Sequence, residues 1–276
     1  MAKSSKKKNE GAALGDAALD TALSQLPVRA GMPARDSIIG ITTPVPTAAA
    51  VSAVQYRIIH TNEVDEYEEV ETTPQGLAAA AKKLPTGDSF KGTSRKAAKL
   101  SISTAKTENF SDLRDLIQSL EPESTMKKHK PPIGTGANSN RVKEEKRNIR
   151  VPAFIYAASR ENDNDYHLII GRDPDETPEV YVTMELSGLP PSSSSSFKKL
   201  KAARDAFKKF YDDNLGGNLP GMSYQFPDPP IPVEIEGSLF FDITHANGTR
   251  PGPKSLKSRM PVIWEVHPIT KMTLES

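Results

Sequence analysis

The sequence predicts an α+β protein: an N-terminal arm without fixed structure, a small α/β unit, and a C-terminal β-barrel with one inserted helix. Three observations carry that reading. Apolar residues make up 36%, or about 42% once the 17 Gly are added, still below the roughly 45–50% of a compact domain counted that way, and Pro is high at 23, so part of the 276 residues lies outside any core. Beyond residue 150 the chain becomes a series of short β-branched and aromatic runs separated by Pro, Gly and Asp turns. Among those runs stands one segment of helical period, placed between the third and the fourth.

Residues 1–52 read as the arm. They are rich in Ala, Pro, Ser and Thr, and a short helix from Ala12 to Gln25 has too few large apolar groups to offset the entropy of ordering so long a segment. Lys3, Lys6, Lys7 and Lys8 read as a solubilising tract, with no apolar run of signal-peptide length after it. Nothing approaches the ~18 uninterrupted apolar residues of a membrane span. A soluble, cytoplasmic protein without membrane contact is the expectation. The 36 basic and 35 acidic residues nearly cancel, so no global field draws the chain to nucleic acid. Zero Cys excludes a disulfide, a thiolate nucleophile and Cys-ligated zinc.

Residues 53–120 read as the α/β domain. Val54 to His60 forms a strand, and Glu63 to Glu71 a second with Val64 and Val70 as its apolar members. A helix follows from Pro74 to Lys83, then a short strand from Lys99 to Ser103. Ser111-Asp112 caps a helix to Leu120, with Leu113, Leu116, Ile117 and Leu120 on one face. Residues 121–150 carry Lys127-Lys128-His129-Lys130 and a charged run from Arg141 to Arg150 without apolar period. They read as a basic linker and the local candidate for an anion-binding patch.

Residues 151–276 read as the barrel domain. Val151 to Ala158, Tyr166 to Ile170 and Val180 to Leu186 are strands. After Ser192 to Ser196, which lacks a nucleophile-elbow pattern, comes a helix whose stripe is Phe197, Leu200, Ala203, Phe207 and Phe210. Lys198, Lys201, Arg204, Asp205 and Lys208 face away from that stripe. A Gly/Pro-rich loop from 216 to 232 leads to a strand from Val233 to Asp242, a second loop, and a last strand from Val262 to His267 extending towards Leu274. Three strands, a helix and two strands is the order of OB-type barrels, which bind ligands on one face.

The candidate site is a set of acids and imidazoles. The period of two puts Asp165 and His167 on one face of their strand, and Glu265 and His267 on one face of theirs. Asp242 and His245 close another strand before the Asn247-Gly248 turn. With Asp163 these form the predicted binding cluster: Asp163, Asp165, His167, Asp242, His245, Glu265 and His267. Carboxylates beside imidazoles hold a divalent metal or orient one another for proton transfer, with His167, His245 and His267 as the metal-ligating candidates; the same pattern also arises as plain hydrogen-bonded pairs at a barrel rim. Asp163-Asn164-Asp165 lacks the Gly and the distant Glu of an EF-hand and reads as an Asx turn. For nucleic acid, Lys198, Lys199, Lys201, Arg204, Lys208 and Lys209 offer a basic helix face, and Trp264, Tyr166 and Tyr181 offer stacking surfaces if exposed.

Residues 151–270 resemble an uncharacterised group of bacterial proteins. The shared pattern is D-x-D-x-H-L at Asp163 to Leu168, Ala203-Arg204 in the helix, G-x-x-F-F-D-x-x-H at Gly237 to His245, and E-x-H-P at Glu265 to Pro268. The strand and helix order is also similar to the staphylococcal-nuclease type of OB barrel, a resemblance that implies a calcium-binding, Asp-rich segment beside a strand. Thr183 to Pro190 lacks the Asp-Thr-Pro-Glu that follows the third strand there, and no matching Arg pair is present. The first expectation is therefore a non-catalytic OB-like binding module for nucleic acid or a protein partner. The alternatives are a metal-dependent nuclease or phosphodiesterase using the Asp/His/Glu cluster, and an interaction scaffold. Nothing in the sequence sets an oligomeric state.

Overall fold

In chain order the elements of the computed structural model, which describes residues 54–64, 85–247 and 250–274, are as follows. Strand β1 (Arg57–His60), helix α1 (Lys96–Lys99), β2 (Thr107–Asn109), α2 (Leu113–Gln118) and α3 (Glu123–Lys127) come first. Then follow β3 (Asn148–Arg160), β4 (Tyr166–Gly171), β5 (Tyr181–Leu186) and α4 (Phe197–Asn214). The last elements are β6 (Gln225–Asp228), β7 (Ile231–Phe241), α5 (Lys254–Lys257) and β8 (Trp264–Leu274). The predicted arm 1–52, most of the acidic strand and the helix from Pro74 to Lys83 lie outside the described residues.

The barrel is the circuit β3-β4-β5-β8-β7, closed by pairing of β7 with β3. A long β3 makes closure possible. Its residues 148–155 pair with β7 and its residues 154–160 with β4, with a register shift between Ile155 and Ala157 that turns the strand from one neighbour to the other. β5 and β8 run parallel through Thr183↔Glu265 and Met184↔Val266, while the other barrel pairs are antiparallel. With α4 inserted between β5 and β7, the architecture is the predicted OB-like barrel.

Alternation along the strands sorts the two faces. Leu168, Ile170, Val182, Met184 and Val266 join one core with Leu200's helix neighbours Ala203, Phe207, Phe210 and Tyr211. Burying aromatic and aliphatic side chains of this size stabilises a fold by about 1.5–3 kcal/mol each. The opposite face of β4 and β5 is buried too, since all their residues are inaccessible. The N-terminal elements cover part of it, and Tyr224, Leu256 and Met260 cover the part around Ile169 and Tyr181.

The small α/β unit docks on the barrel. β1 pairs with β6, β2 pairs in parallel with the start of β3, and Leu113, Leu116 and Ile117 of α2 enter the barrel's core. α2 begins as the sequence predicts, with the Asp112 carboxylate accepting from the Arg114 N–H at 2.7 Å.

Three local expectations are corrected. Lys99 to Ser103 is not a strand: Lys99 ends α1, and helical hydrogen bonds from Leu100 to Lys96 and from Ser101 to Ala98 carry the chain into an irregular run. The predicted linker 121–150 is packed, with α3 in it and Met126, Ile133, Arg141 and Glu145 buried. Several of its cations are engaged, Lys127 with Glu123 and Arg147 with Glu108, because surrounding carboxylates answer the charge run. The 216–232 loop contains β6.

Candidate metal-binding face

Three strands and a tight turn assemble the site on the outer face of β4, β5 and β8. Asp163 accepts from the Asp165 N–H at 3.1 Å, the Asx turn predicted here, with Asn164 at φ 79°. The turn folds Glu161 back over β4, where its Oε1 lies 2.5 Å from His167 Nδ1. Register then places His167 opposite Glu185, and Thr183 opposite Glu265. Glu185 reaches both imidazoles, 3.7 Å from His167 Nδ1 and 2.7 Å from His267 Nδ1. The other His267 nitrogen, Nε2, lies 3.3 Å from Asp165 Oδ2, and Glu265 stands 3.9 Å from Nδ1.

These side chains form two sets of three donors, Glu161 with His167 and Glu185, and Asp165 with Glu185 and His267. Within each set one donor atom per residue lies within 4.8 Å of the others. Glu185 belongs to both. Asp165 and His267 are fully buried, and Asp165 Oδ2, Glu185 Oε2 and both ring nitrogens of His267 meet as ion pairs, at 2.7 and 3.3 Å, without well-directed hydrogen bonds. Asp165 Oδ1 is satisfied, by the Gly188 N–H at 2.5 Å. Buried polar atoms without hydrogen bonds are rare and call for a ligand or a strain account.

Acid outweighs base on this face. Burial pushes Glu161, Asp165 and Glu265 each up to about 7, reinforced at Asp165 by Asp163 and at Glu265 by Glu185, and only partly offset by the imidazoles. Burial acts on Glu185 in the same sense, but His267, Lys99 and His167 overcome it and hold that carboxyl well below its usual range. For His267 burial is outweighed by Glu185, Asp165 and Glu265, which keep it protonated far above the ordinary imidazole range. Lys99 is likewise raised against burial by Asp163, Glu185, Asp165 and Glu161.

Residues 87–104 cross the face as a strap. Phe90 N–H donates to Leu189 O at 3.0 Å, Leu189 N–H to Asp88 O at 2.6 Å and Lys91 N–H to Asp163 O at 2.7 Å. Gly188 permits this approach, since a Cβ there would stand 2.6 Å from Phe90 Cα. Three buried guanidiniums fasten the covering segments. Arg95 grips both oxygens of Glu145 at 2.7 and 2.8 Å, donates to Phe241 O and lies over the Phe240 ring. Arg141 donates to the carbonyls of Ala98, Ser101, Leu239 and His267, which fixes the backbone behind His267. Arg204 binds Asp88 and the carbonyls of Leu186 and Ser187.

The sequence-predicted residues divide as follows. Asp165, His167 and His267 come together, with Glu265 beside them. Asp163 sits at the rim, 3.2 Å from Lys99 Nζ. Asp242 and His245 pair with each other, the Asp242 carboxylate also accepting from the Thr244 N–H at 3.0 Å, and join neither set. The three imidazoles therefore do not share one set, because the loop after β7 turns His245 towards Asp242. Arg204, expected on the exposed helix face, is buried because the strap packs over it. Trp264, Tyr166 and Tyr181 are core residues, which removes them as stacking surfaces.

Sequence reasoning missed Glu161, Glu185 and Lys99. Glu185 carried a usable signal, since β5 alternates in step with β4 and any pairing of the two opposes it to an imidazole or a neighbour. Lys99 carried none, being brought in by a strap from another part of the chain. No family model matches this chain, and comparison with curated proteins and with solved structures returns no match. No helix among the described residues is long and apolar enough to cross a membrane.

Proposed function

We propose that the protein is a binding module of OB-like architecture whose outer β4-β5-β8 face holds a divalent transition-metal cation. The observation that carries this reading is the pair of three-donor sets sharing Glu185. Imidazole combined with carboxylate favours Zn²⁺, Mn²⁺ or Fe²⁺ over Ca²⁺ and Mg²⁺, which prefer all-oxygen sites. Position agrees, because β4 and β5 are the second and third barrel strands, the face on which barrels of this type bind ligands. The excess of buried carboxylate supplies the charge that a cation neutralises, and Asp165, Glu185 and His267 supply donor atoms held only by ion pairs to one another.

The test is titration of chelator-treated protein with Zn²⁺ and Mn²⁺, by calorimetry and thermal unfolding. Binding with a rise in Tm, lost at least 100-fold in Glu185→Gln, is the expected result. No binding of either ion below millimolar concentration overturns the reading. Phosphodiester hydrolysis is a second reading, favoured by the sharing of one carboxylate between two donor sets, the arrangement on which two-metal sites are built. Turnover of a nitrophenyl phosphodiester by metal-loaded protein, absent in Glu185→Gln, checks it.

A further inference from the structure

The proposed cation site is nearly closed to solvent, and a lysine stands at its partly exposed rim. Among the side chains of the two sets, Asp165 and His267 are sealed and His167 and Glu185 expose no more than 5%. Solvent reaches the face at Glu161, 19% exposed, and at the Lys99–Asp163 pair, 17% each. The backbone of Lys99 is fixed on both sides, so that only its side chain can move aside. Its N–H donates to Arg95 O at 2.9 Å, its carbonyl accepts from Ser187 Oγ at 3.3 Å, and Arg95 is locked into Glu145 four residues before. The strap thus aims one positive charge at the region where five carboxylates, Glu161, Asp163, Asp165, Glu185 and Asp242, feel it.

We propose that Lys99 is a tethered cation that occupies the charge of this face in the metal-free protein and is expelled when a divalent ion binds. This rests on the cation reading above. An ammonium and a divalent ion drawn to the same carboxylates repel each other strongly at such separations in a poorly screened site. Metal binding and the Lys99–Asp163 pair therefore compete, and the affinity of the intact protein is lower than its donors alone would give. The Lys99 side chain is the gate, displaced by the ligand it excludes while the strap backbone stays in place.

The experiment compares wild type, Lys99→Met and Lys99→Arg in Zn²⁺ and Mn²⁺ titrations, with stopped-flow association. Lys99→Met, which keeps length and removes charge, binds at least tenfold tighter and associates faster, while its metal-free Tm falls. Lys99→Arg, which keeps the charge, shows neither gain. A second measurement needs no variant: acylation of wild-type Lys99 by an amine reagent, read by peptide mass spectrometry, rises several-fold on adding metal as the side chain is driven into solvent. Unchanged or weaker binding by Lys99→Met, or acylation of Lys99 that stays level or falls, overturns the gate while leaving the metal site in place. A wild type that binds no cation overturns both together.

Discussion

Arg95 and Lys99, four residues apart on one strap, enter two buried charged regions built to opposite rules. Around Arg95 the charges are matched one to one. Both Glu145 oxygens are gripped by the guanidinium and also accept from the N–H groups of Val142 and Phe241 at 2.7 and 2.9 Å. Around Lys99 a single ammonium and the imidazoles face a surplus of carboxylates, and donor atoms are left without hydrogen bonds. A buried pair whose carboxylate oxygens are both gripped by a guanidinium and by backbone N–H groups fastens segments together. A buried cluster left short of partners is a site waiting for charge. Burial alone does not distinguish the two; the count of hydrogen bonds does.

Breaking the matched region should give the largest effect. Arg95→Met or Glu145→Gln leaves a lone buried charge and should cost about 3–5 kcal/mol in urea unfolding; a loss below 1 kcal/mol would erase the contrast. The unmatched region should respond in the other direction. Glu265→Gln removes one of the surplus carboxylates and lies outside both donor sets, so metal-free protein at pH 8 should gain about 1–2 kcal/mol, with no gain at pH 5, where Glu265 is already protonated.

The two regions should also differ in pH dependence. Glu161, Asp165 and Glu265 have folded values of about 7, above their ordinary values of 4.5, 3.8 and 4.5, so they favour the fold at low pH and lose that contribution as pH rises through 7. Asp88 and Asp112 are depressed in spite of burial, Asp88 by hydrogen bonds from Lys208 and Arg204 and Asp112 by those from Arg172 and the Arg114 N–H. Their stabilisation is present above pH 3.8 and disappears as pH falls through their folded values. The thermal stability of metal-free protein should therefore weaken as pH rises from about 4.5 to about 7 and level off above it, and saturating Mn²⁺ should remove that decline but not the one at more acid pH. The smallest effect belongs to the exposed pair Lys201–Asp205 on α4, where Lys201→Ala should change stability by less than about 0.5 kcal/mol.

The barrel was legible because its signal is local. Runs such as Tyr166 to Ile170 and the stripe of Phe207 and Phe210 declare their period within a few residues. Half the site was legible for the same reason, since Asp165 with His167 and Glu265 with His267 are pairs two apart on single strands. Glu185 required knowing which strand lies beside β4. Glu161 required the Asn164 turn, and Lys99 required the whole path of the strap. Asp242 and His245 misled because adjacency in sequence was satisfied within the loop itself. What joins distant segments here is buried arginine, and Arg95, Arg141 and Arg204 look in the sequence like any other surface charge.

The parallel seam of the barrel has two residue pairs, Thr183 with Glu265 and Met184 with Val266, where the antiparallel seams have six or more. Glu185 and His267 stand on either side of that seam. An ion held between them would act as a rivet across the joint with the fewest rungs, so occupancy should be felt by the backbone as slowed amide exchange along β5 and β8. Folding and ligand binding in this protein would then be two readings of the same mechanical join.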